Sequence, residues 1–348
     1  MDRPDDRPDH RPDGRRDDRP DHRPDGRFAR RPAALRARRY VAIGGRGPED
    51  VVADARGRVL TGVEDGRILR LDGLLDPDAV RVETLADTGG RPLGLELLPD
   101  DGLLVCDAER GLLRVDLGDG SVRVLADSVA GEPLRFCSNV VALADGSVYF
   151  TVSSRRYPLG QWLGDIVEHT GTGRLLRLAP GSDTPEVLLE GLQFANGLAP
   201  SADQSFLVIA ETGARRLTRY WLTGPEAGRG GPFVEDLPGM PDNLWRAGPD
   251  GLVWVALAGP RVPPLDLLHR APDAVRHTAA RIAVRAPYRP TGTIGALAVD
   301  DEGRVVHRLA ARGSSFRMVT GVCEAAGHLV LGSLRERGVA LCEPPAPK

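Results

Sequence analysis

Lysine is almost absent from this chain: Lys348, at the extreme C-terminus, is the only one among 46 basic side chains. A Schiff-base mechanism needs a lysine held in a pocket, so that chemistry is excluded. A GxxxxGK[ST] phosphate loop is excluded for the same reason. No stretch approaches 18 consecutive apolar residues, so no transmembrane helix is expected. The N-terminus carries no apolar core of a signal peptide, which makes a cytoplasmic location the expectation. The four cysteines, Cys106, Cys137, Cys323 and Cys342, show neither CxxC spacing nor a dense framework, and read as unpaired thiols packed in strands. GxSxG and HExxH are also missing, and most of the seven histidines fall in a low-complexity tail and in insertions. Net charge is −3 with a pI near 6.2, so nothing electrostatic points to nucleic acid.

What the chain does have is a repeat. A short turn containing Asp-Gly or a close variant leads six times into a hydrophobic strand. The copies are DARGRVLTGV from Asp54, PDDGLLVCDA from Pro99, LADGSVYFTV from Leu143, SADQSFLVIA from Ser201, GPDGLVWVAL from Gly248 and EAAGHLVLGS from Glu324. Aligned on Gly57, Gly102, Gly146, Gln204, Gly251 and Gly327, they recur at intervals of 45, 44, 58, 47 and 76 residues. Periods of this size with several strands each predict an all-β, six-bladed β-propeller. About ten residues after the first strand, several units carry a second signature that alternates apolar and basic residues. GRILRLD, GLLRVDL, GRLLRLA and RRLTRYWL are examples, with the period of a half-buried strand. Two units carry insertions: Tyr157–Thr172 in the third, and Pro260–Pro290, with a short helix expected, in the fifth. Insertions of this length tend to act as lids or binding loops.

Residues 1–38, built from near-copies of DRPD and HRPDGR, cannot bury enough apolar surface to order themselves and read as a disordered tail. With nine Asp and eight Arg in residues 1–27 the tail is nearly neutral, unlike a nucleic-acid arm. The propeller is expected over residues 39–348.

A propeller brings equivalent points of its repeats together around one channel. Eight residues before each anchor stand Glu49, Gly94, Ser138 (with Asn139 next), Asn196, Asn243 (adjoining Asp242) and Val319 (then Thr320). Four repeats thus offer a carboxylate or amide at nearly one phase. No lysine is available, and no arginine occupies that phase. Two carboxylates and two amide oxygens would form a hard, oxygen-only site for a divalent cation, Ca²⁺ first, with Mg²⁺ or Zn²⁺ as alternatives. The competing reading is that these residues cap strand turns by hydrogen bonds.

The stretches FANGLAPSADQSFLVIAETGARRLTRYWLTGP (Phe194–Pro225) and LPGMPDNLWRAGPDGLVWVALA (Leu237–Ala258) resemble the strictosidine synthase-like family. That family lies within a wider group of six-bladed propellers including gluconolactonase and regucalcin. The resemblance extends over roughly residues 40–343. It implies a single divalent cation held by Glu49, Asn139, Asn196 and Asp242, with Asp242 also as general base. Two departures limit what it implies about substrate. Cys137 stands where gluconolactonases carry a substrate-contacting Arg, and Thr320 stands where strictosidine synthase carries the Glu of its Pictet–Spengler condensation.

The function expected is a metal-dependent hydrolase of a lactone or related ester, taking a small-molecule substrate with neither nucleic acid nor membrane as partner. His169, Trp162 and Tyr157 are candidate pocket residues from the third-repeat insertion, and Trp245 is a further one. The alternative from another class is a non-catalytic propeller that binds a small ligand or partner around a structural cation.

Overall fold

The computed structural model describes residue 28 and residues 31–246 and 251–345. Six blades of four antiparallel strands, the fifth with an added edge strand, follow one another around a central axis, as the repeat requires. The first blade runs Val52–Ala53, Val59–Gly62, Arg67–Asp72 and Arg81–Asp87 from axis to rim. The inner strands of the next five blades are Pro92–Leu97, Cys137–Ala142, Ala195–Pro200, Gly239–Arg246 and Val319–Ala325. The apolar-basic segments are the third strands. In Arg67–Asp72 the Ile68, Leu69 and Leu71 side chains are buried between sheets while Arg67 and Arg70 reach outward. Six apolar clusters fill the blade structure, and a seventh, around Phe136, Phe194 and Ile166, lies near the channel mouth.

The repeated turn joins each inner strand to the second. Its aspartates close it by accepting backbone N–H groups two residues on, as Asp145 does from Ser147 at 2.8 Å and Asp203 from Ser205 at 3.0 Å. Glycine fills the left-handed position at Gly57, Gly146, Gly251 and Gly327. The fourth repeat places Gln204 there, at φ 55°.

The sequence expectation placed the start of the propeller at residue 39, and the strands begin earlier. Ala37–Ala42 pairs antiparallel with Gly338–Cys342 and forms the outer strand of the sixth blade, so the two ends of the chain close the ring together. Ala33–Ala34 adds a parallel edge to Val305–Ala311 of the fifth blade. The remainder of the expected tail, residues 1–27 with 29 and 30, lies outside the described residues, as does part of the fifth repeat's turn.

The two insertions fold into helices: α1 (Trp162–Glu168) from the third blade, and α2 (Pro263–Leu268) and α3 (Asp273–Ala283) from the fifth, where one short helix was expected. α1 packs on α3, and their closeness requires Gly164, whose added Cβ would lie 2.6 Å from Val284. All four cysteines are buried and unpaired. Among the described residues no helix is long and apolar enough to cross a membrane.

Candidate active site

Five of the six inner strands carry a bulge where they reach the mouth of the channel, at Pro92/Leu95, Cys137/Val140, Ala195/Leu198, Pro241/Leu244 and Val319/Val322. A bulge breaks the ladder and re-aims successive side chains. Here it sorts them into two tiers. The residues Leu93, Ser138, Asn196, Asp242 and Thr320, joined by Glu49 from the first blade, line a cavity at the mouth. The residues one step later are Asp50, Gly94, Asn139, Gly197, Asn243 and Gly321.

In this inner tier side chains and glycines alternate around the axis. The channel has no room for six: a Cβ on Gly94 would lie 2.4 Å from the Asn139 Cα, and one on Gly197 would lie 2.4 Å from the Asp242 carbonyl oxygen. The three side chains that remain bond to one another. Asn139 Nδ2 donates to Asn243 Oδ1 at 3.1 Å and to Asp50 Oδ2 at 3.4 Å, and Asn139 Oδ1 accepts the Leu198 N–H at 3.1 Å. Asp50 also accepts the backbone N–H groups of Val51 and Leu95 at 2.9 and 3.1 Å. This tier floors the mouth cavity.

The upper tier holds two buried carboxylates, Glu49 and Asp242. Both Glu49 oxygens accept from Asn243 Nδ2 at 3.1 Å. Asp242 Oδ1 accepts from Asn196 Nδ2 at 2.7 Å, and the same nitrogen reaches Thr212 Oγ1 at 3.3 Å. Burial pushes the Glu49 carboxyl up to about 7, against the opposing pull of Arg91 and of the Asn243 amide. Burial, followed by the negative charge of Glu49, holds Asp242 well above the usual carboxylate range. Burial and the charge of Glu49 raise Asp50 likewise.

Sequence reasoning missed Arg91. No arginine occupies the repeat phase, but Arg91 lies off it: this buried side chain donates from its guanidinium to the Gly47 and Pro92 carbonyls at 2.9 and 3.2 Å and acts electrostatically on Glu49. Asp50 and Thr212 were missed too. Of these, Asp50 had a signal in its place beside Glu49, one step along the repeat.

The expected ligands do not all come together. Glu49, Asn196 and Asp242 share the mouth cavity, whereas Asn139 belongs to the inner tier with its amide already bonded, and Ser138 takes the mouth position. Among the described residues no group of three or more His, Cys, Asp or Glu side chains is placed to hold a metal. The donor set that does fit a hard cation is Glu49, Asp242 and Asn196. Both side-chain hydrogen bonds of Asn196 use Nδ2, so neither occupies its Oδ1. Two buried carboxylates, one destabilising the other, are also the arrangement a divalent charge relieves.

Of the three residues expected from the third-repeat insertion, Trp162 lines the cavity, and Tyr157 and His169 do not. The Tyr157 hydroxyl donates to Glu168 beneath α1. His169 stacks on His269 with ring centroids 4.0 Å apart, and burial, then His269 and Arg276, push its pKa down to about 3. Trp245 sits beside Asn139 and Arg246, in a recess that also takes in Asp50.

Comparison with known proteins agrees with this architecture. Residues 139–225 match the family model "Strictosidine synthase", and residues 26–71 match "Strictosidine synthase-like, N-terminal". Strictosidine synthase-like 13 of Arabidopsis thaliana is 37% identical over 254 residues, 65% of this chain and 62% of that protein. Strictosidine synthase-like 6 of the same plant is 34% identical over 291 residues, 82% of this chain and 76% of that protein. Among solved structures, a gluconolactonase from Xanthomonas campestris aligns over 87% of this chain and 88% of its own, with a TM-score of 0.61 at 16% identity. A calcium-binding protein, regucalcin, from Agrobacterium tumefaciens aligns over 90% and 94%, with a TM-score of 0.59 at 16% identity. At these identities the solved structures establish the fold and nothing finer.

Proposed function

This chain belongs to the strictosidine synthase-like family, and from that premise we propose that it is a divalent-cation-dependent hydrolase of a lactone or related carboxylic ester. The observation that carries the reading is the pair of buried carboxylates, Glu49 and Asp242, beside the Asn196 amide at the closed inner end of the mouth cavity. Glu49, Asn196 and Asp242 would hold the cation, Ca²⁺ by its preference for such oxygens. When bound, the ion supplies a Lewis acid for the substrate carbonyl.

The chain's own groups account for the proton transfers. Asn196 fixes one oxygen of Asp242, leaving Oδ2 to take a proton from an attacking water. The water oxygen bonds to the carbonyl carbon, the C–O ester bond breaks, and the proton returns from Asp242 to the departing oxygen. A condensation of the strictosidine synthase kind lacks its acid–base group: Thr320 stands in the ring, and its hydroxyl donates to the Glu49 carbonyl at 2.6 Å.

Turnover of a panel of lactones and aryl esters, with and without chelator, tests the reading. Chelation is expected to abolish hydrolysis, and Asp242→Asn to lower kcat by about 10²–10⁴-fold with the fold retained. Hydrolysis indifferent to both would overturn it. A cation that raises the melting temperature while no ester or lactone turns over would favour a binding module instead.

A further inference from the structure

The carboxylates, amide and Ser and Thr hydroxyls of the mouth cavity lie at its inner end, and apart from the Trp162 and Tyr288 polar tips the rest of its lining is apolar. Its walls are Leu93, Phe136, Phe194 and Met240, with Phe136 and Phe194 edge to face at 5.3 Å. Its roof comes from the two insertions: Trp162 of α1 meets Tyr288, which follows α3, edge to face at 4.9 Å. The free space beneath this roof is about 40 Å³, enough for water and too small for an ester. A substrate therefore enters by displacing aromatic and aliphatic side chains, and lies against them once inside.

The hydroxyls at the inner end are already committed. Ser153 gives its proton to the Ala195 carbonyl at 2.7 Å, so the 2.6 Å bond between Ser138 and Ser153 uses the Ser138 proton. Thr212 donates to the Pro241 carbonyl at 2.6 Å, and Thr320 to the Glu49 carbonyl at 2.6 Å. None of these three has a proton left for a ligand. Hydroxyls on the body of a ligand would give up their water against Leu93, Phe136, Phe194 and Met240, which return no hydrogen bond of comparable strength.

Resting on the hydrolase reading, we propose that the substrate is a lactone or ester with an aromatic or long aliphatic body and one polar head, and that polyhydroxylated sugar lactones are excluded. The carbonyl head reaches Glu49, Asn196 and Asp242, while Trp162, Tyr288 and the Phe136–Phe194 pair enclose the body. Burying such a body yields about 25 cal/mol per Å² of apolar surface, which favours it strongly over a sugar of similar size.

The test compares γ-decalactone with glucono-δ-lactone on the full chain in Ca²⁺, by kcat/KM, and their hydrolysis-resistant lactams by calorimetry. A preference for the apolar member of at least about 100-fold in both readouts is expected. Trp162→Ala should weaken the apolar lactam about tenfold without changing Ca²⁺ affinity, and Met240→Gln gives a second variant that leaves the roof intact. Equal or tighter binding of the sugar lactam, or faster hydrolysis of the sugar lactone, overturns the proposal while leaving the hydrolase reading intact. Selective binding of the apolar lactam without hydrolysis of any lactone supports the pocket's selectivity and removes the hydrolase reading.

Discussion

Glu49 shows what the site costs the chain. Its carboxyl titrates near 7 in the folded state against an ordinary value of 4.5, so between those values the folded chain keeps a proton that the unfolded chain has released. Stability from this group is fully present below about pH 4.5 and is lost as pH rises through 7. With chelator present, the urea midpoint of the wild type is expected to fall from pH 5 to pH 8, and Ca²⁺ should restore it most at pH 8. Glu49→Gln should flatten the profile and remove the response to Ca²⁺. Identical profiles for the wild type and Glu49→Gln would show that this carboxyl is not strained by burial. Arg91 moderates that strain, since its buried guanidinium pulls the Glu49 pKa downward.

The bulged inner strand is the element that makes a site out of a repeat. It places one residue of each blade at the mouth and the next in the plug beneath. Glycine alternates with Asp50, Asn139 and Asn243 because the axis admits only three side chains. Gly197→Ala is expected to destabilise the fold by about 1–3 kcal/mol, because its Cβ would press on the backbone of Asp242 and Leu244 at 2.4 Å, where no side chain can swing aside. Denaturant unfolding checks this, and a loss under about 0.5 kcal/mol would mean that the inner strands are not packed as described.

The same element explains what was legible in advance. The recurring turn identified the blades, and counting back from it reached the ring. It could not separate the tiers, because the turns vary by a residue. Glu49, Ser138 and Asn196 lie eight positions before their anchors, but Asp242 lies nine before Gly251 and Thr320 seven before Gly327. The count therefore left Ser138 and Asn139 both open, and Asn139 was grouped with the mouth on the resemblance.

At the scale of the whole molecule, contacts remote in sequence carry what the repeat could not disclose. Ala37–Ala42 closes the sixth blade against Gly338–Cys342, a pairing that no local pattern announces. The roof joins Trp162 to Tyr288 across two insertions, so the tryptophan was recognisable as a pocket residue while its partner was not. His169, the most conspicuous histidine of the third-repeat insertion, is spent on stacking with His269. The ring thus delivers two acids and an amide to one end of a plugged channel, under an apolar roof.

Calorimetric titration of Ca²⁺ into the chelator-treated full chain, beside Asp242→Asn and Asp50→Asn, tests this arrangement most directly. One ion per chain is expected, with binding lost in Asp242→Asn and retained in Asp50→Asn. Wild-type affinity in Asp242→Asn, or loss confined to Asp50→Asn, would move the cation out of the mouth and contradict the account.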